Sequence, residues 1–426
     1  TFANGGDPYS HGSVTAAATA GYFYSDTATG SYELGTLDET PTFVQETAAG
    51  GDGSGKTTYK FTFLDLTSVD HLLVAGGGGG GGDIAGGGGA GGYLETTGTT
   101  ISRGQKTIVV GGGGVGGAYT STSSWRSRGR NGADTSVTGL TTAIGGGGGA
   151  TGHNNSDDKA AGNGGSGGGG SGGLASNGAY GAANGYGTAG QGFDGANSGS
   201  TWFPGGGGGA SEKGYGRNGS GGGGNNVRGD GGNGKQSTIT GFTSYWFAGG
   251  GGASCHGSAQ DGHGGKGGGG GGGGGSSGIG NGDTNGLTNG GNGKTSGVAT
   301  TVNSQEPPNS REGGDGGKHT GGGGGGADHH HNRWGGNGGS GIVIIRTGGN
   351  LTTGKTIPKV TDIVLDPTNN SNVLISTQGT GISTVTYSVN GGSEVSTPVS
   401  QLSVAHGLAV NVTGTLLAYA LNASSA

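Results

Sequence analysis

Residues 50–57, Gly-Gly-Asp-Gly-Ser-Gly-Lys-Thr, spell the phosphate-binding loop pattern G-x-x-x-x-G-K-[ST] in full. That chemistry needs a strand before the loop and a helix after it, whose N-terminus faces the phosphates. Residues 58–66 instead alternate apolar and polar at period two, the pattern of a strand. The match is therefore expected to be fortuitous in so glycine-rich a chain. Arg228-Gly229-Asp230 is an integrin-type tripeptide, also expected by chance where Arg and Asp sit among glycines. Cys255, His256 and His263 lack a metal-ligand spacing. No Ser/His/Asp set has a recognisable scaffold. The chain is expected not to be an enzyme and to carry no cofactor.

Recognition chemistry is better represented. Tyr119–Arg130 holds Trp125, Arg126, Arg128 and Arg130. Leu174–Pro204 holds Tyr180, Tyr186, Phe193, Trp202 and Phe203, and Ala327–Trp334 holds Asp328, His329, His330, His331, Arg333 and Trp334. Ser276–Glu312 is long and polar. An exposed aromatic beside Arg or Asp is the usual makeup of a binding hot spot, and an indole face also stacks on sugar rings. Trp125, Arg126, Trp202, Phe203, Asp328, Arg333 and Trp334 are the receptor-binding candidates. The alternative is that these aromatics fold back over the ends of the structure and shield amides there. Trp246 lies in an apolar alternating stretch and is expected in the core.

All these segments punctuate glycine blocks, which run from Gly76–Gly82 to Gly321–Gly326 and hold most of the 123 glycines among 426 residues. A glycine block has no side chain to bury, so only its backbone amides and carbonyls can hold it. Fixing that much backbone costs on the order of 100–200 kcal/mol. The region is either a flexible linker or a set of rods that saturate one another's hydrogen bonds. The threefold extended helix suits the second outcome, because it has three residues per turn and no internal hydrogen bonds. Apolar alternation between blocks favours it too. Thr99–Val110, Val137–Ile144, Ser237–Ala248 and Ile342–Arg346 read as strands. An ordered polyglycine II bundle clamped by β structure is the expectation.

Net charge is −6 and the isoelectric point about 5.9, which argues against nucleic acid as the main partner. No apolar run is long enough to cross a membrane as a helix. With Cys255 as the sole cysteine, no intrachain disulfide can form, which fits assembly in a reducing cytoplasm. There is no methionine and the chain begins at Thr1, so the native start is expected upstream. Sequons at Asn154, Asn218, Asn350, Asn369, Asn411 and Asn422 matter only in a eukaryotic secretory pathway.

Residues 1–58 read as an irregular N-terminal arm with a short strand at Phe43-Val44. Strong strands begin at Tyr59-x-Phe61-x-Phe63, and Leu72-Leu-Val-Ala75 runs straight into glycine. Then come "AGGYL" (90–94), "TIVVGGGG", "SVTGLTTAIGGGGG", "STITGFTSYWFAGGGG" and a closing "GGSGIVIIR" (338–346). This order of junctions resembles the glycine-rich domain of tailed-bacteriophage tail-fibre adhesins and related virion proteins, and is similar to the glycine-rich region of anaplastic lymphoma kinase. The resemblance covers residues 55–347. It implies jelly-roll-like strands clamping polyglycine II helices, in a virion or surface setting, and carries no catalytic residue. Some phage fibre tips hold metal with H-x-H, and three copies of His329-x-His331 about a threefold axis would offer six imidazoles. A polar surface loop is the plainer reading, and no metal is expected.

After Arg346 the composition becomes that of an ordinary β sequence. Strands are predicted at Val360–Leu365, Val373–Thr377, Ser383–Val389, Val395–Val399, Ser403–His406 and Leu408–Val412, with a hairpin turn at Asn390-Gly391. The expected organisation is an arm (1–58), a glycine-rich β/polyglycine II domain (59–347), a linker (348–356) and a small antiparallel β-sandwich (357–426), immunoglobulin-like or a part of one. The expected function is a virion-associated fibre or adhesin, assembled in the host cytoplasm, that binds a host-surface glycan or outer-membrane protein. Other virion proteins and further copies of the chain, a trimer included, are the other partners. The alternative is a purely structural virion decoration or an extracellular or cell-surface filament subunit.

Overall fold

The structure, a computed structural model, describes residues 2–3, 35–37, 42–45, 55–63, 67–119, 128–152, 160–172, 183–198, 203–216, 228–239, 244–255, 261–273, 279–293, 313–328, 333–347, 359–365, 373–378, 384–388 and 394–398. They form antiparallel sheets and extended segments, with no helix among the described residues. The first compact unit comprises residues 1–22 and 35–347, and the second 23–34 and 348–426.

Two sheets begin the first unit. Its strands are β1 (Phe2–Ala3), β2 (Gly35–Leu37), β3 (Thr42–Gln45), β4 (Gly55–Phe63), β5 (Thr67–Val74), β6 (Tyr93–Ile101), β7 (Gly104–Gly111), β8 (Ala118–Tyr119), β9 (Ser136–Val137), β10 (Lys235–Ser237), β11 (Tyr245–Phe247), β12 (Arg333–Trp334) and β13 (Ile342–Thr347). One sheet has the order β1-β13-β5-β6, the other β2-β4-β7-β9 with β3 also on β4. The arm is thus no separate region where it is described: its strands pair with β13 and β4. β4 buries every second residue, Phe61 and Phe63 meeting edge-on at 4.9 Å, and it starts at Gly55 rather than Tyr59. β5 is covered on both faces, Leu72, Leu73 and Val74 all being fully buried. Its Leu72/Val74 face joins Ile342, Ile344 and Tyr93 in a core that takes in Ile239, Phe247 and Ala248.

Three stretches expected as single strands are broken, Ser237–Ala248 among them: Ser237 ends β10 and 245–247 form β11. Residues 99–110 divide between β6 and β7, and residues 137–144 leave β9 at Gly139, whose φ is +90°. That turn lets Thr135 bridge Ala143.

The glycine blocks run out from the sheets and back again. Gly76–Gly81 shows their rule. Gly76 and Gly79 donate to the carbonyls of Ala133 and Arg130, Gly77 and Gly80 to Gly339 and Gly336, Gly78 and Gly81 to Gly89 and Gly86. In each pair the donor rises by three residues while the acceptor falls by three, so these neighbours run antiparallel. The carbonyls of Gly76 and Gly79 accept from Gly146 and Gly149, those of Gly77 and Gly80 from Gly114 and Gly117, those of Gly78 and Gly81 from Gly324 and Ala327. These three neighbours run parallel. Every residue of the block donates one bond and accepts one, at 2.7–3.0 Å.

Gly249–Ser254 keeps the three-residue period with another set of directions. It donates to residues 267 and 270, 232 and 229, and 88 and 85, and accepts from 323 and 326, 265 and 262, and 207. Residues 267–270 and 323–326 therefore run parallel to it, and 229–232, 85–88 and 262–265 antiparallel. Glycine is required by proximity. A Cβ on Gly147 would lie 1.9 Å from the Gly162 carbonyl oxygen, and one on Gly207 2.0 Å from that of Gly88.

A peptide hydrogen bond contributes only about 0.5–1.5 kcal/mol net, against about 1–2 kcal/mol to fix each residue. The lattice is therefore marginal alone, and the apolar core where the rods enter the sheets must secure it. At the lattice margin, side chains replace missing rods. Asp134 and Asn131 accept from Gly145 and Gly148 at 2.8 and 3.0 Å, and Asp230 and Asn233 from His263 and Lys266 at 2.7 and 3.0 Å.

The second unit holds β14 (Lys359–Leu365) paired with β15 (Val373–Gln378), and β16 (Thr384–Ser388) paired with β17 (Glu394–Pro398). Ser388 pairs with Glu394, and the turn expected at Asn390-Gly391 lies outside the described residues. The strands expected at 403–406 and 408–412 lie outside the described residues.

Candidate recognition surface

Register alone fixes where the variable segments attach. Rods 112–117, 145–150 and 322–327 run parallel to 76–81, which leaves the sheet at Val74, so all four lead away from the sheets. Rods 129–133, 162–165 and 335–340 run the opposite way and return to them. The same alternation continues through the chain: 166–170 out and 183–187 back, 193–197 out and 205–209 back, 249–254 out and 262–265 back. The connections 120–127, 153–159, 173–182, 199–202, 256–260 and 329–332 thus all begin and end at the end of the bundle remote from the sheets. Short turns such as 188–191 and 317–321 occupy the other end.

Trp125, Arg126, Trp202, His329 and His331 lie in those connections, outside the described residues. Their flanks are placed. β8 pairs with β12, Ala118 opposite Trp334 and Tyr119 opposite Arg333. Segments 120–127 and 329–332 therefore spring from one two-stranded ladder, although more than 200 residues separate them. Trp334 is half-buried and its carbonyl accepts from Gly313 at 3.3 Å. Phe203 is also half-buried, at the start of a returning rod. Asp328 is only 1% exposed, so in this structure its carboxylate is not a surface contact.

The remaining sequence motifs resolve differently. Gly55, Lys56 and Thr57 are already inside β4, with Thr57 fully buried, so no helix N-terminus follows the glycines. Arg228-Gly229-Asp230 is part of a rod rather than a projecting tip. Gly229 is buried, the Arg228 guanidinium contacts the His263 ring, and Asp230 holds the His263 amide. Burial pushes the His263 imidazole below its ordinary pKa, Asp230 opposing this and Arg228 adding to it.

Trp246 is in β11 as expected, but it is half-exposed, while its neighbour Phe247 fills the core. Pairing explains the swap. Lys235 opposes Phe247 and Gln236 opposes Trp246, so strand alternation turns Gln236 and Trp246 outward together. The Lys266 ammonium lies 5.0 Å from the Trp246 ring and the Lys235 ammonium 5.5 Å from the Tyr93 ring. Burial, then the Glu95 carboxylate that accepts its hydroxyl, drive the Tyr93 phenol well above its ordinary pKa. Sequence reading missed these lysines because their ring partners are distant in the chain.

No known family and no curated protein matches the sequence.

Proposed function

We propose that this chain is a virion-associated fibre or adhesin protein of a bacteriophage that binds its host's surface through loops held by a polyglycine II scaffold. The three-residue hydrogen-bond period and the neighbours on all sides of Gly76–Gly81 support threefold helices. On this reading the strands around them are jelly-roll-like and the second unit is a small β-sandwich.

One observation carries the functional reading: the segments bearing Trp125, Trp202 and His329–Asn332 all attach at the same end of a stiff bundle. Concentrating chemical variety on loops while rigid elements fix their ends is the arrangement of a recognition surface. The ligand would be a host glycan or outer-membrane protein. A structural reading, as a virion decoration or filament subunit, draws on the burial of Asp328 and the partial burial of Phe203 and Trp334.

The test is binding of the purified protein to host cells. Alanine at Trp202 and at Trp334 should weaken binding and leave the thermal midpoint nearly unchanged. If both changes lower the midpoint and spare binding, the aromatics are caps and the structural reading stands.

A further inference from the structure

We infer that Asn285-Gly286 is a self-modification site, where the asparagine cyclises onto the following glycine amide and converts to aspartate or isoaspartate. Asn-Gly is the dipeptide in which this reaction meets least hindrance, because glycine has no Cβ to crowd the attacking nitrogen. Nine such pairs lie among the described residues. The lattice separates them into two kinds. In eight, the glycine amide donates to a backbone or side-chain oxygen of a neighbouring rod at 2.7–3.1 Å, as Gly132 does to Gly146, Gly185 to Gly168 and Gly338 to Gly114. Cyclisation removes that hydrogen, so at these positions it costs a lattice bond. It also requires rotation about the asparagine Cα–C bond, out of the extended conformation, which would pull the rod from its register.

Asn285-Gly286 differs on each count. The chain bends at Thr284-Asn285 instead of running as a rod. Gly286 is buried, and its amide donates to no backbone or side-chain oxygen among the described residues. Cyclisation there consumes an unsatisfied donor rather than a lattice bond. Asn285 is exposed, so water reaches its carboxamide, whose nitrogen donates to the Asp283 carboxylate at 2.8 Å. The reaction needs no reagent but water. The Gly286 nitrogen gives its proton to solvent base and bonds to Asn285 Cγ. The Cγ–Nδ2 bond breaks, and the nitrogen takes a proton from water and leaves as ammonia. Water then opens one of the two imide carbonyls, giving a carboxylate on a normal or a β-linked backbone. The product sets a second negative charge beside Asp283 where a donor had been, and Asp283 is the residue that holds the Gly267 and Gly268 amides. None of this depends on the loops of the remote end.

The experiment ages the full chain in mildly alkaline buffer, native and in denaturant, and follows deamidation by peptide mass spectrometry. Cleavage after Lys266 and Lys294 releases residues 267–294, which hold the pairs at Asn281, Asn285, Asn289 and Asn292, so fragment ions compare all four within one peptide. In denaturant the four should convert at similar rates. In the native chain Asn285 should keep most of its rate, while Asn281, Asn289 and Asn292 slow at least about tenfold, because they react only when their rods open. Both aspartate and isoaspartate should appear at position 285, as an imide that opens at either carbonyl requires. Protection of Asn285 equal to that of the other three would overturn the proposal. So would native conversion of Asn289 and Asn292 as fast as in denaturant. Aspartate alone at 285 would mean direct hydrolysis and remove the cyclic route.

Discussion

The carboxamide oxygen of Asn131 accepts the amide of Gly148 at 3.0 Å, and three residues on, Asp134 does the same for Gly145 at 2.8 Å. Two short side chains thus occupy the place of a neighbouring rod at the lattice margin. Gly145 and Gly148 are buried, so without these oxygens their amides would have no partner. Asn131→Ala should cost about 1–3 kcal/mol in chemical denaturation. Asn131→Asp, which keeps the acceptor, should cost clearly less. Equal losses for both would remove the capping role.

Inside the lattice the penalty is steric. Gly147→Val and Gly207→Val place side chains 1.9 and 2.0 Å from carbonyl oxygens of neighbouring rods. Both should fail to fold or lose more than about 4 kcal/mol. Gly139 is the control: nothing lies within 4 Å of its Cβ position, so alanine there meets only the positive φ of 90°. Its cost should be about 1–2 kcal/mol. A soluble, cooperatively unfolding Gly207→Val protein would contradict the close-packed lattice.

Acid should destabilise the fold in two stages. Burial holds the imidazoles of His71 and His319 below their ordinary 6.5, with Asp70 partly opposing the shift at His71 and Lys318 reinforcing it at His319. Between the folded and unfolded pKa values the unfolded chain binds more protons. Stability is therefore complete above pH 6.5 and declines as pH falls below it. His71→Leu should flatten that limb of the melting profile, because the buried His71 Nδ1 has no hydrogen-bond partner to lose. Asp70 adds a lower limb. Burial raises its pKa, but Arg346 at 2.8 Å and the Gly98 amide outweigh this and bring it below the usual 3.8. The stability it confers is present above 3.8 and is lost as pH falls further. A melting midpoint that stays constant from pH 7.5 to 5.5 would refute the first stage.

Cys255 is fully buried where its rod ends, and its amide donates to Asp261 at 2.8 Å. Its thiol should resist a thiol reagent in buffer and react stoichiometrically once denaturant unfolds the chain. Rapid labelling of the native protein would place that end of the bundle in an open state.

Much of the scaffold was legible along the chain. Period-two alternation marked β4, apolar runs marked β5 and β13, and the blocks announced backbone packing, since glycine offers nothing else to pack. The margin was legible too, though it went unread. Asn-Gly-Ala-Asp (131–134), Asp-Gly-Ala-Asn (194–197), Asp-Gly-Gly-Asn (230–233) and Asn-Gly-Gly-Asn (289–292) repeat Asx at the three-residue period. Asx at that spacing is a rod with two faces turned inward and one turned out.

Trp246 shows where reading stopped. Aromatic residues at 245–247 look alike in sequence, and only pairing with β10 sends Phe247 inward and Trp246 outward. Likewise, nothing near Trp334 names Ala118 as its partner, and nothing near Lys266 names Trp246.

By itself, the sequence determined what each segment is: strand or glycine rod, with a periodicity set by local backbone geometry and the presence or absence of a Cβ. The tertiary structure alone decided which rods are neighbours, in which direction each runs, and so which loops share an end. Glycine rods have almost no side chains to encode a partner. Their neighbours are chosen by register against the sheets and by the order in which the chain returns to them.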